Sequence, residues 1–256
     1  ISFNRSKAAL MASDPTNPFG KSLLEQMMAQ VSFDMLPNLR QSETPWRVKL
    51  LGEGATDAGG PGRDLYTQIC LEIQQPYMKL FMTPHSTPNG YLVPNTDLIT
   101  DKRKDMFIYV GALIGGSYVT KLPQPFRFMP LVWSYLVGNK ITKEDIYNFD
   151  NGFKHLMKTI RSIQSKEEFD TIFKDNLFYT VLNSKGDVVE LFSEGSSVLV
   201  TFENKDSYCD LCENYRINEF DKPLQYMSKG IQIFIPESLR KMLTPHELEV
   251  LICGDL

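Results

Sequence analysis

Apolar positions along the chain follow two rhythms. Some recur three and four residues apart, as on one face of a helix, and others form the short runs that suit a strand. Residues 21–30 (KSLLEQMMAQ) predict an amphipathic helix, PWRVKLLG a strand, and residues 61–75 a helix with Leu65, Ile69 and Ile73 at helical spacing. Residues 82–100 are rich in Pro, Asn and Thr and predict a long loop, with at most a short strand around 91–93. Residues 105–119 are apolar nearly all round, which marks a core helix. Its Gly111 and Gly115 lie one turn apart and would let another backbone approach closely. After LPQPF, a Pro-rich break, MPLVWSYLVGN predicts a further helix.

The second half changes character. Thr142 followed by Glu144 and Asp145 reads as a helix start, with an N-cap hydroxyl and acids in the first turn. Residues 150–163 carry Phe153, Leu156, Met157, Ile160 and Ile163 on one stripe. LFYTVL, a turn at NSKGD, VVELF and SSVLVTF predict short antiparallel strands. Residues 204–217 then predict a helix with Tyr208, Leu211, Cys212 and Tyr215 on one face. The last element is well marked: Thr244 and Glu247 form a capping box, with Pro245 at the first helical position. Leu243 and Leu248 suit a hydrophobic staple, and Gly254 a stop. The order predicts a mainly α-helical α+β chain. A larger helical subdomain covers 1–137, a smaller strand-containing one covers 138–216, and 217–256 returns to the larger.

Composition narrows the classes. The 256 residues are 42% apolar, enough for a sizeable core, and the net charge of −4 offers no footprint for nucleic acid or an anionic membrane. The longest apolar run, residues 107–119, is too short to span a bilayer, so no membrane partner is expected. The chain opens in mid-stride with ISFNRSKA and stops at ICGDL, so the expectation is a piece excised from a longer protein. Four cysteines (Cys70, Cys209, Cys212 and Cys253) are sparse for a secreted scaffold and fit a reducing compartment. The cytoplasm is expected, with the nucleus as the alternative.

Three motifs invite a catalytic reading. VKLLGEGATDAGGPGRDLY places five glycines between a strand and a helix, the setting of a phosphate loop. It lacks the Lys-Ser/Thr ending of such loops, carries Glu53, Asp57 and Asp64 where phosphate would sit, and loses a backbone donor at Pro61. A tight structural crossover is the better reading. Cys209-x-x-Cys212 lacks the second Cys pair or the histidines of a zinc site and lies within a predicted helix. There Cys212 joins the apolar stripe and Cys209 is incidental. His85, His155 and His246 are far apart and mark no nucleophilic triad. No cofactor or metal is expected. What remains is apolar surplus in the small subdomain: the stripe Phe153, Met157, Ile160, Ile163, and Tyr208 with Leu177 and Tyr179. Such stripes are ordinarily core, but a small unit crowded with aromatics leaves some exposed for a partner.

The glycine-rich segment resembles that of HECT-type ubiquitin ligases. FIYVGALIGGSYVTKLPQPF, PLVWSYLVGNKITKEDIYNFD, VVELFSEGSSVLVTFENKDSY, NYRINEFDKPLQYMSKGI and IPESLRKMLTPHELEVLICG continue the likeness in order, over about residues 46 to 254. WRVKLLGEG, RINEFDKPL and the ICG ending are most similar to the HERC-like branch. The resemblance implies the N-lobe of a HECT domain, whose smaller subdomain recruits a ubiquitin-conjugating E2 enzyme. The family's C-lobe cysteine, which takes ubiquitin as a thioester and passes it to a substrate lysine, has no counterpart motif here. None of the four cysteines is therefore expected to be catalytic, and this piece alone is expected to be inactive. Protein substrates are expected to bind outside this chain. Carried over position by position, the E2 groove maps onto Phe153, Met157, Ile160, Ile163, Leu177, Tyr179 and Tyr208. Gly152, Leu156 and SIQSKEEFDTIFKD depart from the family pattern. A non-catalytic scaffold of the same fold is the alternative.

Overall fold

A computed structural model describes residues 1–41, 47–53, 60–87, 90–97 and 99–255. In chain order the elements begin with β1 (Ser2–Phe3), α1 (Arg5–Ser13), α2 (Leu23–Met28), β2 (Lys49–Leu50) and α3 (Gly60–Glu72). There follow β3 (Phe81–Met82), β4 (Val93–Pro94), α4 (Asp101–Thr120), α5 (Pro130–Val137), α6 (Lys143–Phe149) and α7 (Asn151–Ser162). The remainder are α8 (Lys166–Phe173), β5 (Thr180–Leu182), β6 (Val188–Glu190), α9 (Lys205–Asn218), α10 (Asp221–Gln232), α11 (Glu237–Arg240) and α12 (Pro245–Cys253). The fold is α+β and mainly helical. The chain divides into two units: Ile1–Met82 with Leu92–Asn139 and Lys222–Leu256, and Thr83–Tyr91 with Lys140–Asp221.

In the first unit, β1 pairs in parallel with β2 and β3 antiparallel with β4. The helices supply the core. α4 starts on the Thr100 cap, which accepts from the Arg103 N–H, and buries residues on every side. The glycine spacing on α4 does what the sequence suggests. A Cβ on Gly111 would lie 1.9 Å from the Met227 carbonyl oxygen, and one on Gly230 of α10 would lie 1.9 Å from that of Ile108. α4 and α10 therefore cross with backbones in contact, and only glycine permits it. Tyr66 of α3 donates its hydroxyl to the Leu113 carbonyl. Phe126 stacks on Phe128, which also meets Phe81 and Trp133, giving an aromatic centre to this core. α12 has the expected capping box between Thr244 and Glu247 and ends on Gly254 at φ +82°.

The second unit is smaller. The Thr142 hydroxyl and Asp145 box α6, and Asp150 caps α7 by accepting from the Phe153 N–H. β5 and β6 form a three-residue antiparallel hairpin with Leu182 opposite Val188. Three features depart from the sequence reading. SSVLVTF does not extend into a third strand. Glu194 turns at φ +65°, Gly195–Ser197 is a single 3-10 turn, and only Leu199 bridges back, to Phe178. Gly195 lies so close to the Tyr179 carbonyl that a Cβ there would come within 2.6 Å, so the turn is what lets this segment close over β5. Second, α8 forms from KEEFDTIF, which the pattern left unassigned; Ser165 caps it and Phe169 is its buried anchor. Third, Thr83–Tyr91, taken with 1–137 as part of the larger subdomain, belongs to the second unit. There the His85 N–H donates to Ser184 O and Thr87 Oγ1 to Phe149 O. Residues 54–59 of the glycine-rich loop lie outside the described residues, as does Trp46; Gly52 turns at φ +87° and Pro61 sits in the first turn of α3. Among the described residues no helix is long and apolar enough to cross a membrane.

Candidate functional site

The second unit holds a cavity of about 610 Å³, within the ~300–1,000 Å³ span of typical binding pockets. α7 supplies one wall with Phe153, Leu156 and Met157, the β5–β6 hairpin the other with Val181, Leu182 and Val188, and Tyr208 of α9 lies between. His85 and Ser86 stand at the rim. Helical spacing explains the first wall, because 153, 156 and 157 fall on one face of α7. The hairpin register explains why Leu182 and Val188 stand together on the second, because directly opposed residues share a face. Its lip is apolar and wet: Leu156, Leu182 and Val188 are 40%, 54% and 69% exposed. Apolar side chains brought together at a cavity mouth mark a place where another molecule removes them from water.

The polar end of the cavity is built around Arg216, which is almost wholly buried. Its Nη1 donates to Asp150 Oδ2 at 3.0 Å and to Leu182 O at 3.2 Å. Nε donates to Glu219 Oε2 at 3.1 Å and Nη2 to Ser184 Oγ at 3.2 Å. The Ser184 N–H and hydroxyl both donate to Glu219 at 2.8 Å, and the guanidinium carbon stands 4.9 Å from the Phe153 ring centre. Two carboxylates, a carbonyl and a hydroxyl thus satisfy one buried cation. A second cluster ties α7 to α9: Arg161 meets Asp210 at 2.7 Å and Glu213 at 3.1 Å, and the Tyr147 hydroxyl donates to Glu213.

The seven residues mapped from the sequence separate here. Phe153, Met157 and Tyr208 line the cavity. Ile160 and Ile163 are buried elsewhere in the unit's core. Tyr179 is buried edge-on against Tyr208, with ring centres 5.7 Å apart, and also meets Phe192. Leu177 is half-buried and its carbonyl accepts from the Val200 N–H. The expectation that these side chains are the surplus apolar surface is corrected: six of the seven are buried. α7 and α9 close on each other through the Arg161 cluster, and the hairpin covers Tyr208, whose hydroxyl donates to Thr180 O at 3.0 Å. Burial raises the Tyr208 pKa well above that of a free tyrosine, with the neighbouring Cys212 adding to it. Of the exposed apolar side chains of this unit, Leu156, Leu182 and Val188 line the cavity, whereas Ile172, Phe192, Val198 and Leu199 do not. Leu156 was legible as a stripe member, whereas Leu182 and Val188 needed the hairpin register.

The cysteines also resolve. All four are buried. Burial pushes the Cys209 and Cys253 thiols up to about 11 and Cys212 up to about 12, and raises Cys70 well above its ordinary value. These are packing thiols, since a reactive cysteine needs a lowered pKa and access. Cys209 is as deeply buried as Cys212, so it is a core residue and not incidental.

Comparison with known proteins gives the family. The model of the HECT-domain (ubiquitin-transferase) family matches residues 67–256, and the chain belongs to that family. It is 30% identical to the E3 ubiquitin-protein ligase HERC2 of Mus musculus, over 98% of this chain and 5% of that protein. It is 26% identical to the probable E3 ubiquitin-protein ligase HECTD4 of Homo sapiens, over 82% of this chain and 6% of the relative. It is 25% identical to the E3 ubiquitin-protein ligase NEDD4 of Homo sapiens, over 94% and 18%. The chain thus spans only a small part of the length of these relatives.

Proposed function

We propose that this chain is the E2-recruiting N-lobe of a HECT ubiquitin ligase, and that the cleft between α7, the hairpin and Tyr208 seats the E2. The observation that carries this reading is the coincidence of three residues mapped from the family pattern, Phe153, Met157 and Tyr208, with one cavity bearing an exposed apolar lip. A buried floor and an apolar mouth suit a partner that inserts one large side chain, because such anchors dominate the energy of small interfaces. In the whole protein, ubiquitin would pass from the E2 to a thiol outside this chain and on to a substrate lysine. The burial of Cys70, Cys209, Cys212 and Cys253 supports placing the acceptor elsewhere. The free thiols fit a reducing compartment, with the cytoplasm as the expected setting. Titration of a panel of ubiquitin-charged and free E2 enzymes into the chain tests this. Saturable binding by at least one, weakened about tenfold by Leu182→Asp, supports recruitment. Silence across the panel refutes it and leaves a scaffold of the same fold.

A further inference from the structure

We propose that Arg216 is a positioning residue for the recruitment groove, and that with Glu219 it sets the distance between the groove's two walls. The proposal rests on reading the cleft as the E2 seat. A hairpin of three residues a side has little stability of its own, and although Val181 at its centre is buried, Leu182 and Val188 beside the turn are largely in water, so burial does not hold the turn end in place. What holds it is polar. Arg216 binds Leu182 O, the last carbonyl of β5, and Ser184 Oγ in the turn, and Glu219 takes both donors of Ser184. The same guanidinium reaches Asp150, whose other oxygen caps α7 at the Phe153 N–H. One side chain therefore ties the first turn of one groove wall to the end of the other, and its face lies over Phe153 on the floor.

A buried ionic cluster of this kind adds little net stability over an apolar replacement, and its best-attested value is in selecting one geometry. Loose hydrophobic contact at Leu182 and Val188 would admit several hairpin positions. Directional bonds to a planar, forked cation admit one. Lysine carries the same charge but presents a single point of donation, so Arg216→Lys keeps the neutralisation and loses the strut. Glu219→Gln removes the charge that anchors Ser184 while leaving Arg216 on Asp150.

The experiment measures two quantities on the full chain: amide hydrogen exchange across residues 182–188, and dissociation constants for an E2 panel. Phe169→Leu serves as the control for general destabilisation, because Phe169 packs in α8 against Phe173 and Phe202 and does not line the cavity. Glu219→Gln and Arg216→Lys are expected to speed exchange in the hairpin about tenfold and weaken E2 binding about tenfold, while Phe169→Leu changes the affinity less than about twofold at a temperature where all variants are folded. Unchanged hairpin exchange in Glu219→Gln overturns the proposal, whatever happens to Arg216→Lys. So does an affinity loss no larger than that of Phe169→Leu. If no E2 binds the unaltered chain, the recruitment reading fails, and with it the groove-setting role, whereas hairpin exchange still decides whether the cluster holds the hairpin.

Discussion

Both units bury charged side chains, and they neutralise them in opposite ways. In the first unit the partners are neutral groups, mostly of the backbone. Glu72 accepts from the Leu23 and Leu24 N–H groups at the start of α2, and Arg240 donates to the carbonyls of Leu136 and Ile235. In the second unit the principal partners are opposite charges: the buried Arg216 with Asp150 and Glu219, and the buried Glu213 with the partly exposed Arg161. Backbone partners are fixed by the helices that carry them, so the first unit's charges finish off helix ends. Ionic side-chain partners join separate elements, and the Arg216–Asp150 pair does so at the cavity. The contrast separates a framework from a cavity whose walls are tied together by side chains.

The largest expected effect is at the buried cations. Arg216→Met strands two carboxylates and is expected to cost about 3–5 kcal/mol. Arg240→Met strands only neutral acceptors, two carbonyls and the Ser228 hydroxyl, and is expected to cost about 1–3 kcal/mol. Urea unfolding followed with a probe in each unit measures both, and equal losses would erase the distinction. The glycines come next. Gly230→Ala forces α4 and α10 apart at a backbone contact and is expected to cost about 3 kcal/mol. Gly186→Ala sits in the hairpin turn at φ +91°, where the nearest atoms belong to the rim side chain His85, and is expected to cost about 1–2 kcal/mol.

The third effect depends on pH. Burial raises the Glu72 carboxyl to about 7, against the pull of the Leu23 and Leu24 donors. The folded chain then holds this proton more tightly than the unfolded chain does. Glu72 therefore costs nothing below the unfolded value near 4.5, costs progressively more as pH rises through about 7, and reaches a plateau of at most roughly 3 kcal/mol. Glu72→Gln is expected to remove that slope from the stability profile of the first unit. A profile of unchanged slope would mean the carboxyl stays ionised throughout. The smallest effect on stability is at the lip: Leu182→Asp is expected to change folding by less than about 0.5 kcal/mol yet weaken E2 binding about tenfold. Leu251→Asp, at a comparably exposed apolar site in the first unit, is expected to leave both folding and E2 binding unchanged.

Much of the framework was legible because its signals are local. The box at Thr244 and Glu247 and the paired glycines of α4 lie within a few residues of what they control, and the structure bears out both. The stripe on α7 was legible too, with Asp150 at its head. The site was legible only in part. Phe153, Met157 and Tyr208 stood out as large apolar residues, yet nothing in the sequence distinguishes a buried stripe from a bare one. The exposed lip depends on the register that sets Leu182 opposite Val188. The strut depends on Asp150 and Arg216, sixty-six positions apart, which no periodicity connects. SSVLVTF has strand composition, but the tight approach at Gly195 overrides it with a turn. Thr83–Tyr91 has loop composition and gives no sign that it joins the hairpin through Ser184.

The central claim is that partner recruitment belongs to the cleft in the second unit and not to the first. Its most direct measurement is an amide and methyl NMR titration of the chain with an E2 that binds it. Shifts are expected to centre on Leu156, Leu182, Val188 and Tyr208, with α4 and α12 silent. Shifts centred on α4 or α12, with the lip unchanged at saturation, would contradict it.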